Sequence, residues 1–186
     1  METITEEQFF RLKYVYIEQI INGAVFIYPT DTIYGIGCDA TNDKAVKKIR
    51  EIKNRDKKPF SIIAPSKRWI KEYCIGTDIE KNLRRLPGAY TFVLKIKKRI
   101  VTKEVNKRKG TIGVRIPKHW ISDFVKEFGR PIVTTSLNVS GELPVKSIDQ
   151  ISTEMYEKID FAIDEGKLAG EPSTVIDLTG KEKKLR

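Results

Sequence analysis

With 186 residues, 40% of them hydrophobic and 32% charged, the chain has the composition of a folded globular protein, and a chain this long buries about 70% of its extended surface in one core. Two cysteines without C-x-x-C spacing, Cys38 and Cys74, exclude a disulfide framework or a Cys-rich zinc site, and the lone His119 excludes a two-His metal site or a histidine relay. The net charge of +10 is localised: residues 95–109 carry eight Lys/Arg against Glu104, residues 181–186 carry four against Glu182, and the remainder is neutral.

The start of the chain, METITEEQFF, lacks the order of a signal peptide, and no apolar run approaches the ~20 residues of a membrane span. A cytoplasmic protein without membrane association is expected. Residues 5–22 repeat apolar positions at helical spacing, with Thr5 as N-cap and Gly23 at the stop. Ala24 to Tyr28 then reads as a buried strand ended by Pro29, and residues 42–54 return to helical spacing. Further strands are predicted at 60–64, 90–96, 111–116, 131–135, 161–164 and 174–178. Helices are predicted between them at 67–74, 78–86, 119–128 and 148–158. This alternation predicts an α/β domain with a mixed sheet, and with no repeat or linker in view the domain spans residues 1–186.

Four segments carry chemistry. PTDTIYGIGCD (29–39) follows a strand with two threonines, Asp31 and the glycines 35 and 37. It reads either as a ligand-facing loop at a strand end or as a tight turn. KNRDKKPFS (53–61) gathers Lys53, Arg55, Lys57 and Lys58 where a helix passes into a strand, which suits a nucleotide's phosphates or a solvated helix end. TIGVRIP places Arg115 near a strand end, where its fork can grip a carboxylate, and PIVTTSLNVSG offers Thr134, Thr135, Ser136, Asn138 and Ser140 to ribose, phosphate or an amino-acid backbone, while either segment reads equally as loop capping. Asp31 and Asp177 could each approach a metal but read first as loop or strand-end caps, and His119 beside Trp120 reads as a surface or capping residue.

PTDTIYGIG, the Lys53/Arg55 pair before KPFS, LPGAYTFVL, IGVRIP, PIVTTSLNVSG, GEPSTVIDL and a terminal LR, in this order over about residues 15–186, resemble the YrdC/Sua5/YciO family. The resemblance implies a YrdC-like twisted mixed open sheet around a basic cavity, flanked by helices. It implies an L-threonylcarbamoyladenylate synthase, a nucleotidyltransferase making threonylcarbamoyl-AMP and pyrophosphate from L-threonine, bicarbonate and ATP for the tRNA t6A37 modification. Mg2+ would arrive with ATP, no tightly bound organic cofactor is implied, and the product would pass to a threonylcarbamoyl transferase complex. By position, Lys53 and Arg55 match the catalytic phosphate-binding pair. Thr30, Arg115, Thr134 and Ser173 match L-threonine positions, and Lys57, Thr111, Ser136, Asn138 and Arg186 match ATP positions.

The chain departs from the family pattern in reading Ser136-Leu137-Asn138 for SAN and LPGAYT for PGPxT. It also ends at Leu185-Arg186 where relatives commonly run on, so a lid from such an extension is expected to be missing. A YciO-like RNA-binding protein without the activity is the main alternative, with the basic segment 95–109 as a possible tRNA contact. Carbamoyl transfer, as in hydrogenase-maturation proteins, is the weaker one, because their acylphosphatase and zinc-finger modules are missing here.

Overall fold

The computed structural model describes residues 1–107, 110–138 and 144–186. In chain order its elements are β1 (Glu2–Thr5), α1 (Glu6–Arg11), α2 (Lys13–Ile21), β2 (Phe26–Tyr28), β3 (Gly35–Gly37), α3 (Asp43–Ile52), β4 (Ser61–Ile63), α4 (Lys67–Tyr73), β5 (Cys74–Ile75), α5 (Ile79–Leu83), β6 (Tyr90–Ile96), β7 (Thr111–Arg115), α6 (Ile121–Phe128), β8 (Ile132–Ser136), α7 (Thr153–Glu157), β9 (Phe161–Asp164), β10 (Thr174–Asp177) and β11 (Lys183–Lys184). The strands form one sheet in the order β1-β9-β2-β3-β8-β4-β7-β6-β10-β11, with β5 also on β6. Parallel pairs (β1/β9, β2/β9, β4/β7, β6/β10) mix with antiparallel ones, as an α/β chain with both crossovers and hairpins requires.

Strand alternation sorts the core into two layers. Phe26 and Tyr28 of β2, Phe161 and Ile163 of β9, Ile132 of β8 and Ile63 of β4 face the layer built by Phe9, Tyr16, Ile20 and Phe124 of α1, α2 and α6. Ile27, Ala162, Val133 and Ile62 face the other way, against Ala45, Val46 and Ile49 of α3. The first layer is tied by aromatic contacts, with Phe9 5.0 Å from Phe124 and Phe161 stacked 5.1 Å from Phe26. No helix among the described residues is long and apolar enough to cross a membrane.

Several elements differ from the sequence expectation, among them β11, a strand formed on the edge of β10. The helix over 5–22 breaks at Leu12 (φ −110°, ψ 23°), although Thr5 does cap α1 through a reciprocal bond with Gln8. The residues before that cap form β1, a strand that exists only because β9 supplies its partner. Gly35–Gly37, read from sequence as part of a ligand-facing loop or a tight turn, forms strand β3.

There Tyr28, paired with Gly35 in the ladder, lays its ring across both glycines: a Cβ at Gly35 or Gly37 would stand 2.9 or 2.8 Å from that ring. The Tyr28 hydroxyl then donates to the Val133 carbonyl at 3.2 Å. Glycine is needed because anything larger would lift the ring from the strand.

The basic segment after β6 is packed, not free. Val101 and Val105 are buried, Thr102 N–H donates to Ala40 O at 3.0 Å, and Phe60 N–H donates to Val105 O at 2.9 Å. Arg108 and Lys109 lie outside the described residues. A Cβ at Gly37 would also lie 2.3 Å from the Val133 carbonyl oxygen, a main-chain atom that cannot step aside. Gly37→Ala is therefore expected to destabilise the protein by about 3 kcal/mol, the upper range for overpacking. Chemical denaturation checks this, and a wild-type midpoint would show that the ring is not seated as described.

Candidate functional site

A cavity of about 230 Å³ opens where the β2–β3 loop, the segment after α3, the ends of β7 and β8, and the start of β10 converge. Thr30, Arg55, Arg115, Thr134, Ser136, Ser173 and Arg186 line it, so seven of the eleven residues selected from sequence meet at one place. Three lining residues are arginines, and among the described residues no carboxylate lines the cavity. Hydroxyls from Thr30, Ser61, Thr91, Thr134, Thr135, Ser136 and Ser173 complete a polar wall. Such a site suits an anionic ligand that also carries hydrogen-bonding groups.

The β2–β3 loop is shaped by Thr30, whose hydroxyl donates to Ile33 O (2.7 Å), lies 2.9 Å from the Thr32 hydroxyl and accepts from the backbone N–H of Thr32 (3.1 Å). The turn presents Asp31 to Arg115: Nη2 of the arginine reaches Asp31 Oδ1 at 2.6 Å and the Thr32 hydroxyl at 3.3 Å. The other Asp31 oxygen accepts from Lys118 N–H at 2.9 Å, so this carboxylate is spent on holding the loop and the arginine, as its capping role predicts. Burial disfavours the charged Arg115 and lowers its pKa, while Asp31 opposes that shift. Its Nε is buried without a partner.

Arg55 enters from the other side. Lys53 caps the C-terminus of α3, and Asn54 takes the left-handed conformation (φ 44°), which turns the chain so that Arg55 faces the cavity. Its Nη1 donates to the Thr135 hydroxyl (3.3 Å), Nη2 to Pro59 O (2.6 Å), and Nε is again buried and unpartnered. Burial first, and the neighbouring Arg50 second, lower its pKa.

Arg186 approaches on β11, which pairs with β10, and donates from Nε (3.1 Å) and Nη2 (3.0 Å) to the Ser173 carbonyl. The Ser173 hydroxyl is 2.8 Å from that of Thr91.

Four sequence-selected residues stand elsewhere. Lys53 is only 1% exposed, and its ammonium donates to Ser136 O (2.5 Å), Asn138 O and Asn138 Oδ1 (2.7 Å). It holds the end of β8 from behind and does not line the cavity. Asn138 completes that clamp by accepting from the Ser136 hydroxyl at 2.6 Å. Lys57 is exposed on the loop. Thr111 begins β7 and accepts from the Asn106 side chain, four residues and about 13 Å along the strand from Arg115. Ser140 lies outside the described residues. Asp177 accepts both hydrogen bonds of Thr179 in a local turn, and His119 pairs with Glu165 at 3.1 Å.

Sequence reading missed Tyr34, Thr91 and Gly170. Tyr34 lines the cavity, and its hydroxyl donates toward Asp164 and the Gly166 carbonyl while accepting from Glu165 N–H at 2.9 Å. This fastens the segment leading to Pro172 and Ser173. Gly170 lets that segment touch the β2–β3 loop: a Cβ there would lie 2.1 Å from Thr32 O. A glycine just before PST was the available signal, but its contact lies 138 residues away in the chain.

A family model described as telomere recombination, the Sua5/YciO/YrdC domain, matches residues 18–186. A threonylcarbamoyl-AMP synthase of Pseudoalteromonas translucida is 34% identical over 172 residues, covering 87% of this chain and 91% of that protein. The crystal structure of P. abyssi Sua5 complexed with L-threonine is 31% identical with a TM-score of 0.85; the match covers all of this chain and 56% of that one, so this chain spans little more than half of that protein's length. The crystal structure of E. coli YciO is 28% identical with a TM-score of 0.84, covering 100% of this chain and 92% of the other. The ordered motifs, the mixed sheet and the arginine-lined cavity agree with these findings, and the chain belongs to the Sua5/YciO/YrdC family.

Proposed function

We propose that this protein is an L-threonylcarbamoyladenylate synthase that joins L-threonine, bicarbonate and ATP into threonylcarbamoyl-AMP and pyrophosphate. The observation that carries this reading is a hydroxyl-rich cavity with Arg55, Arg115 and Arg186 in its wall and no lining carboxylate among the described residues. It is supported by a relative named threonylcarbamoyl-AMP synthase and by a similar fold, P. abyssi Sua5, complexed with L-threonine. The product would serve a threonylcarbamoyl transferase complex in the t6A37 modification of tRNA.

The reaction needs no protein nucleophile. The threonine amine adds to bicarbonate with loss of water, a carbamate oxygen then bonds to the α phosphorus of ATP, and the bond from that phosphorus to the pyrophosphate oxygen breaks. Positioning and charge neutralisation would supply the rate. Arg115, held by Asp31 with a buried Nε still unpartnered, is assigned to the threonine carboxylate, beside Thr30, Thr134 and Ser173. Arg55, Ser136 and Arg186 are assigned to the nucleotide, with Arg55 neutralising charge that grows on the leaving pyrophosphate.

Lys53, whose ammonium is on the Ser136 and Asn138 carbonyls, is assigned to shaping the Ser136 wall. Mg2+ is assigned to the ATP phosphates, because the ion usually keeps several waters and binds through substrate phosphates. The packing of Val101 and Val105 gives the basic segment a structural reason to exist apart from RNA binding.

The deciding experiment incubates the protein with ATP, bicarbonate and each amino acid, measuring pyrophosphate and the adenylate by mass. Threonine-dependent release of both is expected. Release indifferent to the amino acid, or none, rejects the reading. Arg55→Ala is expected to keep the fold and lose about 30- to 1,000-fold in rate, the cost of one charge-assisted contact at the transition state; wild-type turnover would remove Arg55 from the chemistry. Arg115→Lys keeps the charge but not the fork, so KM for threonine should rise more than KM for ATP. The opposite pattern would exchange the two subsites. Replacing exposed Lys98 and Arg99 with serine should leave adenylate synthesis within about twofold, as surface changes do; a large loss would bring that segment into the site.

A further inference from the structure

We infer that Arg50, which lies outside the cavity wall, is the positioning residue that sets the nucleotide-binding segment 53–60. This inference rests on the assignment of Arg55 to the nucleotide. Arg50 lies in the last turn of α3 with its side chain buried, 5% exposed. A buried guanidinium is costly unless its donors are satisfied, and here they are satisfied chiefly by main-chain carbonyls. Nε donates to Glu104 O at 2.8 Å and Nη2 to the same oxygen, while Nη1 is shared by Arg55 O (2.8 Å), Asp56 O (3.0 Å) and Lys58 O (3.2 Å). One side chain thus gathers three carbonyls of the segment that carries Arg55 and joins them to the basic segment after β6.

The geometry of that segment follows from this clamp. With the carbonyls of 55, 56 and 58 turned toward Arg50, the Arg55 side chain is left to reach Thr135 and the cavity. Phe60, at the segment's end, takes both cations within reach of its ring, Arg50 at 4.7 Å and Arg55 at 5.1 Å. Its N–H closes onto Val105 O, next to the carbonyl of Glu104 that Arg50 holds. The Glu104 carboxylate is 3.6 Å from Arg50 Nε and is shared with Lys107, a secondary contact. Lysine cannot take this place, because its ammonium cannot fan rigid donors to four separate carbonyls.

The test compares the full-length protein with Arg50→Lys, Arg50→Met and Glu104→Gln. Calorimetry reads ATP binding without threonine or bicarbonate, and L-threonine binding separately, while hydrogen exchange reads the Phe60 amide. Both Arg50 variants should bind ATP about tenfold or more weakly, which is what losing one charge-assisted hydrogen bond implies. Threonine binding should stay within about twofold, because Arg115 is held by Asp31 and not by this clamp. The Phe60 amide should lose protection without loss of cooperative unfolding. Glu104→Gln, which keeps the carbonyl, should leave ATP binding near wild type.

ATP binding restored in Arg50→Lys would mean that charge alone acts, and would overturn the inference. An equal loss of both ligands together with loss of cooperative unfolding would reduce Arg50 to a core residue, with the same result. Wild-type protein that binds no ATP would reject the proposed function, whereas the Phe60 exchange measurement still decides whether Arg50 joins the two segments; unchanged Phe60 protection in both variants refutes that.

Discussion

The cations Arg50, Lys53, Arg55 and Arg115 are withdrawn from water around the ends of one sheet, and the site depends on how the chain tolerates them. Burying a charge costs several kcal/mol per ion after relaxation unless partners are provided. The obvious partner, a carboxylate, is used sparingly: Asp31 reaches Arg115 at 2.6 Å and Glu104 stands 3.6 Å from Arg50. Most of the remaining hydrogen bonds go to main-chain carbonyls and threonine hydroxyls. Carbonyl dipoles satisfy donors without cancelling the net charge. The cavity therefore stays electropositive, which an anionic ligand requires.

That arrangement makes each cation part of the scaffold as well as part of the site. Lys53 draws the end of β8 inward, so Ser136 faces the cavity. Arg50 turns the segment after α3, and Asp31 fixes both Arg115 and the entry to α6 through Lys118. The segment closing the far side, toward Pro172 and Ser173, is fastened by Tyr34 and by the contact of Gly170 with Thr32. The cost is electrostatic, and binding an anion would relieve part of it through the unpartnered Nε atoms of Arg55 and Arg115.

Much of the element pattern was legible because periodicity and punctuation are local. β6 begins and ends at the predicted residues, β9 does too, and Thr5 caps its helix as read. The failures share a cause. β1 and β11 form only because β9 and β10 offer edges, and β3 looks like a turn until Tyr28 is seen lying over its glycines. In the segment 95–109 the described cations Lys95, Lys97, Lys98, Arg99, Lys103 and Lys107 are exposed, as its charge suggests, whereas the anchoring role of Val101 and Val105, two apolar positions among them, was not legible.

By itself the sequence determined the α/β alternation, the localisation of charge and the ordered motifs from which seven residues of the cavity wall were named in advance. These are properties of neighbouring residues and survive without coordinates. Only the tertiary structure decided what each cation faces: Lys53 and Arg55 are two residues apart, yet one donates to carbonyls behind the wall and the other enters the cavity. The left-handed turn at Asn54 and the Arg50 clamp separate them: Glu104, which Arg50 holds, lies 54 residues further along the chain, and Ser136 and Thr135, partners of Lys53 and Arg55, lie 83 and 80 residues further along. A side chain's role is set by which partners satisfy it on burial, and those partners are brought together by the sheet.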